Sequence, residues 1–321
     1  MPENKINFMD VVFCADKGVL PGLHVAAYSL LDRISSKVAS TRFHIFSDAL
    51  DEGDITLLHQ TLGSLEKPYS LELRRVDPAQ FRGYPSLNGS WATYYRLGVP
   101  RELDVDRFLY VDADTLCDVD VSPLNSLEMG VAPMAWVTEA PLESAADLGV
   151  VNQLKHTPED LYFNAGVMLV NRVAWLNQKI SEQCMEYIAR NKPNFHDQSA
   201  MNYILFRKSL ALDEKYNCIA NMRRNWCWVK QSYGKVNRLI HFLDYPKPWD
   251  LGAELIHPQY HLWRTVLEKT AMRDFRSWQK TPARKFPSTT KAKQGYKKAI
   301  KDKMLFLGFI MGIKVKGVQI P

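Results

Sequence analysis

Short apolar runs alternate with stretches of helical spacing through the first half of the chain, which is the pattern of an α/β sheet rather than a sandwich or a bundle. Asp10 to Ala15 reads as a buried first strand. After the turn at Lys17-Gly18, Pro21 starts a helix along which Leu23, Ala26, Ala27, Leu30, Leu31 and Ile34 recur. Strands at Phe43 to Phe46 and Leu71 to Val76 flank a helix from Ile55 to Leu62. Ala92 to Leu97 is predicted helical and Arg107 to Val111 a central strand. Beyond it the pattern predicts strands at Ala132 to Val137 and Phe163 to Val170, one helix from Arg172 to Arg190, another from Asp197 to Phe206, and a short strand from Leu239 to Phe242. No internal repeat is visible, and no linker separates two domains before about residue 262. The expected division is a catalytic domain over 1–262 and a basic extension over 263–321, with Pro282 to Pro287 the best breakpoint before the tail proper.

Composition adds a charge asymmetry to this picture. The 321 residues carry +6, but 280–321 hold eleven Lys or Arg and one acid, so the tail is +10 and the rest of the chain −4. Hydrophobic residues at 46% and charged residues at 24% exclude disorder over most of the length. Five scattered cysteines, none in a C-x-x-C pair, fit neither a disulfide framework nor a zinc ribbon and favour a reducing compartment. The longest apolar run, Met304 to Ile313, is about half of the ~20 residues a spanning helix needs, and no signal peptide is evident, so neither a span nor export is expected.

Three Asp-x-Asp pairs occur: Asp104/Asp106, Asp112/Asp114 and Asp118/Asp120. The middle pair directly follows an apolar strand, so both carboxylates leave its carboxyl end while Ala113 turns the other way, and open α/β sheets bind ligands at that end. Two acids so spaced suit one hard divalent cation that also holds a diphosphate. The outer pairs read as solvated turn residues. His241, on an apolar strand, reads either as a satisfied core histidine or as a metal ligand joining the carboxylates. Lys247, inside Pro246-Lys-Pro248, reads either as a surface lysine or as a fixed cation for a leaving diphosphate.

Six segments in order carry a resemblance: Val11 to Asp16, Ala92-Thr-Tyr-Tyr-Arg-Leu97, Tyr110-Val-Asp-Ala-Asp-Thr-Leu116, Tyr162 to Asn171, His196-Asp-Gln198, and His241 with Lys247-Pro-Trp249. Over about residues 10–250 the chain resembles the family 8 glycosyltransferases, particularly bacterial enzymes that add α-linked sugars to lipopolysaccharide or related surface glycans. The resemblance implies a single GT-A type, Rossmann-like nucleotide-sugar domain with a mixed central sheet. It implies Asp112, Asp114 and His241 as ligands of Mn2+ or Mg2+ and a UDP-sugar donor, UDP-galactose or UDP-glucose first. Ala15 and Asp16 would then line the nucleotide pocket, Asp112, Ala113 and Lys247 would contact the donor, Arg96 and a catalytic Asn164 would face the sugar-diphosphate, and Asp197 and Gln198 would lie beside the anomeric carbon. Anomeric configuration would be retained. Because Gln198 is a neutral amide and a poor nucleophile, same-face attack by the acceptor is preferred, with Asp197 as the fallback nucleophile and N-capping of its helix as its plainer role.

Three departures bear on donor choice. Gly18 and Val19 stand where lipopolysaccharide galactosyltransferases of the family tend to have Asn and Tyr, Asp244 replaces a glycine near the diphosphate, and Thr138 with Glu139 beside it replaces an acid that binds sugar hydroxyls. In the tail, Ile300, Met304, Leu307, Ile310 or Met311 and Ile313 recur near helical spacing among lysines, so residues 291–316 are expected to lie on an anionic membrane surface, placing the enzyme in the cytoplasm on the inner face of the membrane. The alternative that this run packs on the catalytic domain stays open. Two competing functions remain. A metal-dependent sugar nucleotidyltransferase would want a Gly-rich loop after the first strand, where Ala15-Asp-Lys-Gly-Val19 has one glycine. Nucleic-acid binding through the tail finds no basic patch to extend it in a mildly acidic body, so no nucleic acid is expected.

Overall fold

The computed structural model describes residues 7–86, 90–220, 230–277 and 290–310. In chain order the elements are β1 Phe8–Cys14, α1 Leu20–Arg33, β2 Ser40–Ser47, α2 Glu52–Gly63, β3 Tyr69–Arg75, α3 Ala92–Glu102, β4 Arg107–Val111, β5 Thr115–Cys117, β6 Met134–Pro141, α4 Leu148–Val151 and β7 Leu161–Asn171. There follow α5 Arg172–Asn177, α6 Ile180–Asn191, α7 His196–Ile204, β8 Leu210–Leu212, β9 Cys218–Ile219, β10 Leu239–His241, α8 Ala253–Ile256, α9 Tyr260–Leu267 and α10 Thr290–Ile310. A seven-stranded sheet has the order β3-β2-β1-β4-β7-β6-β8, and a three-stranded sheet the order β5-β10-β9. β3, β2, β1 and β4 run parallel, while β7 is antiparallel to both β4 and β6, so the central sheet is mixed as expected.

Strand alternation distributes the core. Met9, Val11 and Phe13 of β1, with Leu109 and Val111 of β4, pack under Leu23, Ala27 and Leu30 of α1 and Leu58 and Leu62 of α2. Val12, Cys14, Phe108 and Tyr110 face the opposite layer, where α3, α6 and α7 bring Tyr94, Ile188 and Met201. Burying each such large side chain contributes about 1.5–3 kcal/mol, so both faces of β1 and β4 are pinned and the end of β4 is a fixed platform.

Two outcomes differ from the sequence expectations. The helix expected over Arg172 to Arg190 is broken at Lys179, which adopts φ 51° between α5 and α6. Trp175 and Ile180 are both buried in one cluster, and five residues of unbroken helix would turn them about 140° apart; the left-handed residue restores a common face. The position between 262 and 263 lies inside α9, where Leu262, Trp263, Val266 and Leu267 are buried with Val25, Phe242 and Trp249. The packed body therefore runs past that point. Residues 280–289, with the Pro282–Pro287 stretch, and 311–321 lie outside the described residues.

Candidate functional site

The site forms where β4 and β10 end beside the middle of β7. β4 delivers Asp112, whose amide donates to Gly166 O of β7 (2.7 Å), and Phe242 N, just after β10, donates to Asp114 O (2.8 Å). These backbone bonds bring His241 across to the carboxylates: Nε2 lies 3.2 Å from Asp114 Oδ1 and 3.8 Å from Asp112 Oδ2. Gly166 is required for this closure, because a Cβ there would stand 2.2 Å from His241 Cε1. Likewise a Cβ on Gly22 would stand 2.5 Å from the Trp249 ring and 2.6 Å from Ala113 O, so α1 can lie against both through a glycine alone.

The proton on His241 follows from a chain of donors that starts at the backbone. Gly166 N–H can only donate, and it donates to Asn164 Oδ1 (2.9 Å). Asn217 Nδ2 therefore donates to the same Asn164 oxygen (2.9 Å), which turns Asn217 Oδ1 toward His241 Nδ1 at 3.1 Å. Nδ1 therefore carries a hydrogen, and Nε2 is the ring nitrogen left to face the carboxylates. That nitrogen belongs to a residue 1% exposed, makes no hydrogen bond, and faces two carboxylates. An imidazole nitrogen and two carboxylates that converge in this way can close on a single cation. Among the described residues, Asp112, Asp114 and His241 form the one such cluster, with ligand atoms within 4.8 Å of one another, a nitrogen and carboxylate set that can hold a divalent cation.

Charges around this cluster are closely balanced. Burial raises the carboxyl of Asp114, but the Lys247 ammonium, with the imidazole beside it, outweighs burial and holds it well below the usual range. Burial, and behind it the Asp114 charge, lifts the Asp112 carboxyl despite Arg96. Lys247 Nζ donates to Asp114 Oδ2 (2.6 Å), Phe242 O (2.6 Å) and Leu243 O (2.9 Å). Arg96, on α3, bridges Asp112 Oδ1 (3.2 Å) and Asp197 Oδ2 (3.0 Å), donates to Ala165 O (2.6 Å) and lies over the Tyr110 ring, whose hydroxyl donates to Asp112.

At the other wall, Ala165 N donates to Gln198 Oε1 (3.0 Å), which aims Gln198 Nε2 at Glu139 Oε2 (3.3 Å) and Tyr162 Oη (3.3 Å). Asn164 Nδ2 also donates to Glu139 (3.1 Å). A register shift between Thr138 and Ala140 in the β6–β7 pairing accompanies the entry of Glu139 into the site. Asp197 does not cap α7; Phe195 holds the cap position, and Asp197 pairs with Arg96 and Thr93 instead. Ala15 is buried at the end of β1, its amide bonded to Phe46 O, and Asp16 Oδ1 accepts from Gly18 N (2.8 Å). The structure brings Asp112, Ala113, Asp114, Arg96, Asn164, Asp197, Gln198, His241 and Lys247 together, with Ala15 and Asp16 at the end of neighbouring β1. The sequence reading did not find Asn217, and it left Glu139 as a mere neighbour of Thr138. It also misread Asp118, which is buried and accepts from Gly234 N and Val236 N while pairing with Arg33.

An α/β sheet whose central strand ends in two carboxylates, with an imidazole turned toward them, offers a candidate divalent-metal site. The comparisons give the chain's family. The model of "Glycosyl transferase family 8" matches residues 10–252, and the chain belongs to that family; it is a glycosyltransferase. It is 27% identical over 326 residues to a lipopolysaccharide 1,2-glucosyltransferase of Escherichia coli K12, covering 97% of this chain and 90% of that one. It is 26% identical to a lipopolysaccharide 1,3-galactosyltransferase of Salmonella typhimurium, covering 79% and 76%. Its fold is similar to that of the galactosyltransferase LgtC in complex with donor and acceptor sugar analogs, with TM-score 0.67, 21% identity, and 82% and 96% covered.

Proposed function

We propose that this enzyme moves a hexose from a UDP-sugar, UDP-glucose or UDP-galactose, to a lipopolysaccharide or related surface-glycan acceptor, with retention of configuration. The observation that carries the reading is the His241 Nε2, turned on Asp112 and Asp114 by the hydrogen-bond chain from Gly166. The names of the similar transferases supply the substrate class. Asp112, Asp114 and His241 would hold Mn2+ or Mg2+, which supplies positive charge to the diphosphate as it leaves.

This chain's own residues favour same-face attack. Thr93 donates to one Asp197 oxygen and Arg96 is ion-paired with the other at 3.0 Å, which lowers the carboxylate's nucleophilicity. Gln198 Oε1 is committed to Ala165 N–H. The remaining carboxylate, Glu139, is held by Asn164 and Gln198 at the same wall, where it suits sugar hydroxyls and restores the acid that Thr138 lacks. Lys247, whose ammonium lies beside Asp114, would supply a second positive charge to the diphosphate.

The tail helix supports a peripheral place on an anionic membrane. Ile300 (51% exposed), Met304 (64%) and Leu307 (38%) share the solvent face of α10 with exposed Lys293, Lys297 and Lys301. Apolar residues flanked by lysines match an anionic lipid surface, and no helix among the described residues is long and apolar enough to span it. Lys298 and Lys303, expected in the same set, point inward to Asp244 and Leu255 O.

The deciding experiment for the donor is UDP release from UDP-glucose and UDP-galactose with Mn2+ and with EDTA, followed by NMR of the transferred sugar. Metal-dependent release and an α-linked product are expected. An inverted anomer, or release that ignores EDTA, contradicts the proposal.

A further inference from the structure

Asp244 stands two residues after Phe242, whose amide holds Asp114 O, and three residues before Lys247, whose ammonium holds Asp114 Oδ2. On the reading given above, which places a diphosphate beside Lys247, an acid here opposes the donor's charge. The structure supplies a partner from far along the chain. Lys298 of α10 pairs with Asp244 at 3.0 Å.

α10 lies along the whole segment. Ala292, Gly295 and Ala299 share its inner face; Ala292 and Ala299 are buried, and a Cβ at Gly295 would stand 2.7 Å from Tyr245 Cβ and 3.0 Å from Tyr245 O. Tyr296 Oη donates to Leu251 O (2.8 Å), and Lys303 Nζ to Leu255 O. The segment is thus tied to Asp114 on one side and to α10 on the other. The Lys298–Asp244 pair is too open to matter much for folding, with side chains 39% and 31% exposed. Its charge, however, falls where an anion is to bind.

We propose that Lys298 is a positioning residue of the donor site: it neutralises Asp244 and holds the 242–250 segment so that Lys247 faces the diphosphate. The basic helix is then part of the donor site's frame, with Lys298 and Lys303 turned to the 242–255 segment and Lys293, Lys297 and Lys301 turned to solvent.

The test is calorimetric titration of UDP with Mn2+ into the full chain as wild type, Lys298→Ala, Asp244→Asn and the double variant. Lys298→Ala is expected to weaken UDP about fivefold, the scale of one uncompensated charge near an anion, with kcat at saturating donor little changed. The double variant is expected to return to the wild-type affinity, because removing the acid removes the need for the lysine. Unchanged affinity in Lys298→Ala, or a double variant as weak as the single one, overturns the proposal. Hydrogen–deuterium exchange of the 242–255 segment without nucleotide gives a second readout: faster exchange in Lys298→Ala and Gly295→Leu is expected, and unchanged exchange in both counts against a positioning role. Wild-type protein that binds no UDP defeats the donor reading instead, and the exchange arm then decides the positioning role alone.

Discussion

Gly166 N–H bonds to Asn164 Oδ1, and from that one backbone donor the orientations of Asn217 and His241 follow in sequence. Removing a link should loosen the metal without unfolding the protein. Asn217→Ala is expected to weaken Mn2+ about 10- to 100-fold, as loss of a ligand's orienting partner does elsewhere; titration followed by EPR of free Mn2+ measures it, and wild-type affinity in the variant would refute the donor chain. Gly166→Ala pushes a Cβ onto the imidazole and is expected to abolish Mn2+ binding while circular dichroism stays native. Asp112 and Asp114 stood out because they follow an apolar run, whereas His241, inside Leu239-Ile-His-Phe242, read equally as a core histidine until the family resemblance singled it out. Asn217 was not legible: it lies in Tyr216-Asn-Cys218, between a short turn and a two-residue strand, and only folding brings it to His241.

At the scale of elements, long periodic segments read well and short or irregular ones did not. α1, α3, β1, β4 and β7 were visible because burial enforces their periods. β5, β8 and β9, of two or three residues, carry too little pattern to see, and the break at Lys179 left no Gly or Pro to mark it. The irregularity in β6 matters most, since it accompanies the delivery of Glu139. Glu139→Ala is expected to lower kcat/KM for transfer at least about tenfold, the scale of losing a charge-assisted hydrogen bond, with UDP affinity little changed; equal activity would remove Glu139 from the sugar site. For α10, Lys293→Glu, Lys297→Glu and Lys301→Glu together are expected to abolish sedimentation with anionic vesicles at low salt, at about 1 kcal/mol per lysine, while metal-dependent donor hydrolysis in solution persists. Binding that survives the triple change would leave that face without a lipid role.

At the scale of the whole molecule, two buried histidines tie stability to pH. Burial lowers His24 to about 4 and His257 to about 3, the latter helped by Lys247 and His261. Both bind protons more readily unfolded than folded, so stability is intact above about pH 6.5 and falls as pH drops below it, by up to about 2.7 kcal/mol per pH unit for the two together. Thermal melts between pH 7.5 and 5 are expected to show this slope, and His257→Gln to reduce it by about half; a slope unchanged in that variant would show that other groups carry it. The account as a whole stands on a donor nucleotide held through a metal at Asp112, Asp114 and His241. Calorimetry of UDP, GDP, CDP and ADP, each with Mn2+ and with EDTA, on wild type and Asp114→Ala tests that most directly. UDP should bind tightest, only with metal and only to the wild type; tighter binding of another nucleotide, or UDP binding that survives EDTA and Asp114→Ala, would contradict it.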